Sequence, residues 1–240
     1  MMTLDSKHTI MTLIILFIST MAISLWASAR VKSVYNRYNQ GQIRSGLSGG
    51  EVAQRILNYA GIRDVMITHR DETLGDHYDP TQKILMLSSE NYYGYSPAAV
   101  GVAAHECGHA IQHSLNYQPL HWRMSAVGLT TFASQIVMWL PLLGLMTGLI
   151  APMTGALIMA VAWGIIMAFN LVTLPVEFDA SNRAKLMLAD MGIIAPGDES
   201  QGVKKVLDAA ALTYVAAFVT SLVYFLWHLL PLLTGSRARD

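Results

Sequence analysis

The longest uncharged stretch of the chain lies between Arg123 and Glu177 and contains no Asp, Glu, Lys or Arg. Two segments inside it, residues 125–150 and residues 155–176, are each long enough to cross about 30 Å of hydrocarbon as a helix. The Pro-Met-Thr-Gly sequence between them favours a turn. Because backbone groups in lipid must be hydrogen-bonded internally, we predict two transmembrane helices joined as a hairpin.

Two further apolar runs, residues 9–29 and residues 209–233, are also long enough to span a bilayer. The first resembles a secretory signal peptide, but it is longer than a typical signal core, and Arg30 and Lys32 follow it directly. We therefore predict a retained anchor. The chain is 53% hydrophobic and 13% charged, which is typical of membrane proteins. These patterns predict a mainly α membrane protein with about four transmembrane helices.

Residues 31–123 are polar and mixed, so we expect a folded domain outside the bilayer. Ser48 and Glu51 have the spacing of a capping box and predict a helix that Gly61 ends. Ser96, followed by proline, predicts the start of a second helix.

A small sheet is expected between these two helices. Residues 65–68 and residues 83–88 have the apolar composition of short strands, and residues 76–80 are interpreted as a turn. A peptide can add as a strand to the edge of such a sheet. The extramembrane part is therefore predicted to be an α+β domain with a small sheet.

The second predicted helix contains the motif H-E-x-x-H, formed by His105, Glu106 and His109. Four residues turn a helix by slightly more than one turn, so the two histidines lie on one face, about 6 Å apart, and can share a zinc ion. Glu106 is placed to take a proton from a water molecule that the metal activates. Cys107, the sole cysteine, points away from the pair and is interpreted as a packing residue.

A third metal ligand is sought where the hairpin leaves the membrane. Two crossings return the chain to its starting side, so Glu177 is expected on the side that holds the histidine pair. Residues 177–208 would then form a helical segment that completes the zinc site. Asp179 and His113 are alternative ligands, although His113 extends the same helical row and cannot readily converge on one tetrahedral ion.

Several longer segments extend the pattern beyond the motif. They are the N-terminal anchor, Asp76-His77-Tyr78-Asp79-Pro80, the segment from Gly101 to His113, the segment from Leu171 to Phe178, and the segment from Ala209 to Ala216. Together they resemble one known family, the bacterial zinc-dependent membrane proteases of the YugP-like neutral zinc metallopeptidase group. The resemblance runs nearly end to end and implies a Zn²⁺ site with His105, His109 and Glu177 as ligands and Glu106 as the base.

More distantly, the chain is similar to gluzincin membrane proteases such as the HtpX-type quality-control proteases and the CAAX prenyl proteases. This likeness implies that the extramembrane part is a gluzincin-like α+β metalloprotease domain. These relatives usually carry an Asp four residues after the ligand Glu, where this chain has Ser181. Asp179, Ser181 or Asn182 is expected to take over the orientation of a histidine ligand.

The leading hypothesis is a membrane-embedded zinc endopeptidase that hydrolyses peptide bonds, with membrane protein quality control as its implied role. His77, Tyr78, His113 and Arg183 are candidates for stabilising the oxyanion. The alternative is a non-catalytic zinc-binding scaffold or chaperone-like protein, which would not require Glu106. The expected partners are a peptide or protein substrate and the lipid bilayer. Net charge is zero and no basic run occurs, so no nucleic-acid partner is expected.

Positive charges near the predicted spans indicate an orientation in a bacterial plasma membrane. Lys and Arg are enriched on the side of the metal motif, so this catalytic side is predicted to face the cytoplasm. That side has Arg30, Lys32, Arg37, Arg123, Arg183, Lys185, Lys204 and Lys205, and the opposite side has Lys7, Arg237 and Arg239.

Overall fold

The computed structural model describes residues 4–71 and 75–234, so Arg237 and Arg239 lie outside the described residues. The described chain is mainly helical, with one small sheet, as the sequence predicts. In chain order its elements are α1 (Leu4–Tyr38), α2 (Gly49–Tyr59), β1 (Met66–Arg70), β2 (His77–Asp79), β3 (Ile84–Ser88), α3 (Ser89–Tyr93), α4 (Pro97–Ser114), α5 (Gln118–Thr147), α6 (Pro152–Asp190) and α7 (Asp198–Thr234).

The described residues form two compact units. The site unit consists of Ala27–His121 and Leu174–Leu212, and the apolar unit consists of the described parts of Met1–Trp26, Trp122–Thr173 and Thr213–Asp240.

Local capping signals explain where the helices of the site unit begin. Ser48 accepts a hydrogen bond from the backbone N–H of Glu51, and the Glu51 carboxylate accepts one from the backbone N–H of Ser48, so the predicted capping box is present. Helix α2 ends just before Gly61, whose φ of 74° suits a residue without a side chain. Ile56 and Leu57 of α2 are completely buried, which stabilises the unit by about 1.5–3 kcal/mol for each side chain.

The sheet has the strand order β1-β3-β2, with β1 parallel and β2 antiparallel to the central strand β3. The interpretation of residues 76–80 as a turn is wrong, because residues 77–79 form β2 and the turn follows at residues 80–83. Tyr78 lies opposite Leu85 in the register. Leu85 is buried, so pairing with this strand outweighs the turn-forming composition of the segment.

The apolar unit is built from parts of four helices that are long and apolar enough to cross a membrane. They carry many exposed large apolar side chains, including Phe17, Phe132 and Trp139. A soluble protein rarely exposes apolar surface on this scale, whereas lipid solvates it. The fold is therefore that of a mainly α membrane protein.

Candidate metal centre

Helix α4 holds the two histidines of the motif in a fixed relation. Ser96 caps it by accepting a hydrogen bond from the backbone N–H of Ala99 at 3.1 Å, and Pro97 occupies the first turn, as predicted. The rings of His105 and His109 consequently lie one turn apart, with centroids separated by 4.8 Å and planes at 82°.

A glycine inside the motif allows α6 to approach α4. A Cβ atom added to Gly108 would lie 2.6 Å from the carbonyl oxygen of Ala180 and 3.0 Å from its Cα. Any side chain there would collide with backbone, so this close packing of the two helices requires glycine. It brings the turn of α6 that contains Glu177 against the histidines.

Glu177 reaches both histidines with one oxygen. Its Oε2 atom lies 3.3 Å from Nε2 of His105 and 3.6 Å from Nε2 of His109. Ligands about 2.0–2.1 Å from a tetrahedral zinc ion are separated by about 3.3 Å. Among the described residues, these three form the one group of His, Cys, Asp or Glu side chains placed to share an ion. Two imidazoles and one carboxylate suit zinc, so the residues fit the metal.

The two alternative ligands make other contacts. Asp179 accepts hydrogen bonds from Nε of Arg183 at 2.6 Å and from Nε2 of Gln112 at 2.8 Å. His113 pairs through Nδ1 with the hydroxyl of Tyr78 at 2.9 Å. Neither belongs to the cluster, and Glu177 is the residue brought to the histidine pair.

Each histidine contacts a neutral polar group through its other ring nitrogen. Nδ1 of His105 lies 3.1 Å from the hydroxyl of Ser181, and Nδ1 of His109 lies 3.0 Å from Oε1 of Gln112. Ser181 is one of the three candidates that the sequence offers, whereas no sequence argument above identifies Gln112. The available signal is an amide three residues after His109, in a helix whose residues apart from the motif and His113 are small or apolar.

Glu106 and Cys107 follow the first histidine and are both buried, Glu106 with 7% of its surface exposed. The Cys107 thiol donates a weak hydrogen bond to the backbone carbonyl of Ala53, with a sulfur–oxygen distance of 3.6 Å. Burial raises the pKa of the Cys107 thiol well above its usual value. Cys107 is therefore a packing residue, as predicted, and stays protonated.

The candidates for stabilising an oxyanion differ in their surroundings. Burial, followed by the charges of Asp64 and Asp79, raises the pKa of Tyr78 to about 12, so its hydroxyl keeps its proton. Burial and the charges of neighbouring His121 and Lys83 lower the pKa of His113. A protonated phenol therefore faces a neutral imidazole at neutral pH.

Two further candidates are held by local contacts. The ring of His77 is exposed and contacts the carbonyl oxygen of Gly75 through Nδ1 at 2.7 Å. The guanidinium of Arg183 is paired with Asp179 through Nε.

The charges around His109 oppose the effect of its burial. Burial lowers the pKa of this imidazole, but contact with Glu177 and the charge of Glu106 outweigh it, so the pKa is raised. The carboxylates of Glu106 and Glu177 thus place negative charge beside the imidazole, which favours a bound cation.

Comparisons with known proteins agree with this geometry. Residues 13–233 match the model of a family described as "Putative neutral zinc metallopeptidase". The chain is also similar to the "Putative membrane protease YugP" of Bacillus subtilis (strain 168), with 41% identity over 226 residues, which is 94% of this chain and 98% of that protein. No solved structure gives a significant match.

Proposed function

Because the chain belongs to the neutral zinc metallopeptidase family, we propose that it is a membrane-embedded zinc endopeptidase of the H-E-x-x-H, gluzincin type. Zinc is the cofactor of the family, and a protease of this family acts on a peptide or protein substrate. The observation that carries the proposal is the convergence of His105, His109 and Glu177, which come from two helices and have ligand atoms within 4.8 Å of one another.

In this proposal the three converging side chains are the metal ligands, and Glu106 is the general base and acid. Bound zinc would supply a Lewis acid that polarises the scissile carbonyl and acidifies a water molecule. Glu106, adjacent to His105, takes a proton from the attacking water and later delivers it to the leaving amine nitrogen. Burial of Glu106 and Glu177 excludes bulk water from the reacting groups.

The sheet offers a place for the substrate main chain. Strand β2 lies at an edge of the sheet, and its Tyr78 contacts His113, which is one turn beyond His109 on α4. An extended peptide pairing with β2 would run beside the helix that carries the motif. The proposed substrate is therefore a segment that is unfolded or locally extended.

The test uses the detergent-purified full chain and three variants. Glu106→Gln is expected to retain zinc and to lose about 10²–10⁴-fold in cleavage of an unfolded protein, since it removes the base but no ligand. Glu177→Ala is expected to lose or sharply weaken zinc binding. Asp190→Ala removes an exposed carboxylate from the same helix and should change neither property.

Elemental analysis and a cleavage assay separate the outcomes. Full cleavage by Glu106→Gln would refute the assignment of the base, and undiminished zinc in Glu177→Ala would refute the third ligand. Zinc bound by the native chain without hydrolysis of any unfolded substrate would favour the scaffold hypothesis.

We also propose a membrane location and a cellular role for the protein. The distribution of Lys and Arg supports a bacterial plasma membrane protein whose catalytic side faces the cytoplasm. The need for an extended substrate segment is consistent with quality control of membrane proteins. Cleavage of a folded membrane protein as fast as its misfolded variant would contradict that role.

A further inference from the structure

Gln112 is a completely buried amide beside the metal centre, with three hydrogen-bond partners. Its Nε2 atom donates to the backbone carbonyl of Val176 at 2.8 Å and to Oδ2 of Asp179 at 2.8 Å. Its Oε1 atom lies 3.0 Å from Nδ1 of His109. The amide therefore connects a histidine of α4 to the turn of α6 that contains Glu177.

These partners determine which way the amide faces. An amide nitrogen has two N–H donors, whereas its oxygen accepts only. A backbone carbonyl accepts only, and the pairing of Asp179 with Arg183 favours an ionised carboxylate that also accepts only. Both groups therefore require the nitrogen of Gln112, which leaves its oxygen facing His109.

The orientation of Gln112 in turn fixes the tautomer of His109. Because Oε1 can only accept, Nδ1 of His109 must carry a proton and donate it. A neutral imidazole with a proton on Nδ1 has a lone pair on Nε2. That nitrogen is the one directed at Glu177.

We propose that Gln112 is a positioning residue that selects the metal-binding tautomer of His109 and holds the Glu177 turn of α6 against α4. This inference rests on the proposed function, since it takes His109 and Glu177 as zinc ligands. Gln112 does not touch the reacting atoms and acts through these two side chains.

Ser181 provides a comparison within the same site. Its hydroxyl contacts Nδ1 of His105 but can either donate or accept. It therefore stabilises either tautomer of His105. Loss of Ser181 should consequently affect zinc binding less than loss of Gln112.

The first experiment measures zinc affinity of the full chain by competition with a chelator. Gln112→Met keeps a side chain of similar length without hydrogen bonds and should weaken zinc binding by about 10–100-fold. Ser181→Ala should cost less than Gln112→Met. Gln201→Met replaces an exposed glutamine of the site unit and should leave the affinity unchanged. Equal affinities of Gln112→Met and the native chain would overturn the proposal.

A second measurement reports the tautomer directly. The spectra are recorded on metal-free protein labelled with ¹⁵N-histidine, at a pH above the raised pKa of His109 so that its imidazole is neutral. The His109 resonances, assigned by their loss in His109→Ala, should show a proton on Nδ1. Gln112→Met should show a mixture of the two tautomers. A proton on Nε2 in the native protein, or an unchanged spectrum in the variant, would overturn the proposal.

A third variant keeps the proposal testable if Gln112→Met does not fold. Gln112→Glu places a carboxylate against two acceptors, Asp179 and the carbonyl of Val176. Asp179→Asn in the same chain supplies an amide donor to position 112 and so removes the repulsion between the two carboxylates. The double variant should bind zinc more tightly than Gln112→Glu alone. Failure of this rescue would overturn the positioning role. Native protein that binds no zinc would instead contradict the proposed function itself.

Discussion

The two units differ in how far their side chains are buried and in what their polar contacts hold. In the apolar unit, the hydroxyl of Thr20 lies 2.9 and 3.1 Å from two carbonyl oxygens of its own helix and 3.3 Å from the hydroxyl of Tyr224 on α7. In the site unit, Gln112 of α4 bonds to Val176 and Asp179 of α6 and also contacts His109. Polar contacts therefore join helices in both units. Among the described residues, the side chains placed to share a metal ion all lie in the site unit.

The largest difference is expected when an isoleucine is truncated in each unit. Ile56 is completely buried, whereas 53% of the surface of Ile18 is exposed. Ile56→Ala should lower the free energy of unfolding by about 2–5 kcal/mol, because it leaves a cavity. Ile18→Ala should have a much smaller effect, since lipid or detergent fills the space. Thermal denaturation in detergent measures the loss of stability in both variants. Equal losses would contradict the difference in burial between the two units.

Two glycines provide the next comparison. Gly108→Ala should cost about 1–3 kcal/mol, because α6 must move away from α4, and zinc affinity should fall with it. A Cβ on Gly128 of the apolar unit meets nothing within 4 Å. Gly128→Ala should therefore be neutral or stabilise its helix by up to about 1 kcal/mol. Unchanged zinc binding in Gly108→Ala would show that this close approach is not required.

Hydroxyl groups give a smaller effect. Ser48→Ala removes the cap of α2 and should cost about 0.5–2 kcal/mol. Thr131→Ala removes a hydroxyl bonded only to its own helix and should be close to neutral. Melting temperatures of the two variants under one detergent condition test the difference.

The smallest expected effect is a pH dependence from His113. Its pKa is lowered in the folded state, so the unfolded chain takes up the proton first as pH falls. Its contribution to stability is full above about pH 6.5 and declines as pH falls toward the folded pKa. His113→Asn should reduce the loss of stability between neutral and mildly acidic pH. An identical decline of stability with falling pH in the native chain and in His113→Asn would exclude His113 as its source.

The sequence predicted the parts that depend on local chemistry. The starts of α2 and α4 follow from Ser48 and Ser96, whose bonds involve residues three positions away. The membrane-spanning potential of the helices follows from runs of apolar residues. Glu177 could be proposed as a ligand because two helical crossings return the chain to the side of the histidine pair. That argument concerns topology and needs no side-chain contacts.

The rest depends on contacts between distant residues. The short strand β2 has the composition of a turn, and its pairing with β3 determines its conformation. Gln112 acquires its role from Val176 and Asp179 on another helix. No pattern within a few residues of Gln112 specifies those partners.

The buried thiol of Cys107 has a practical consequence for labelling. Because it is the sole cysteine, fully enclosed and protonated, the native chain should not react with water-soluble maleimides. A single cysteine introduced near residue 197 or residue 148 would then be the sole reactive position. Labelling of intact cells and of inverted vesicles would report which compartment each loop faces.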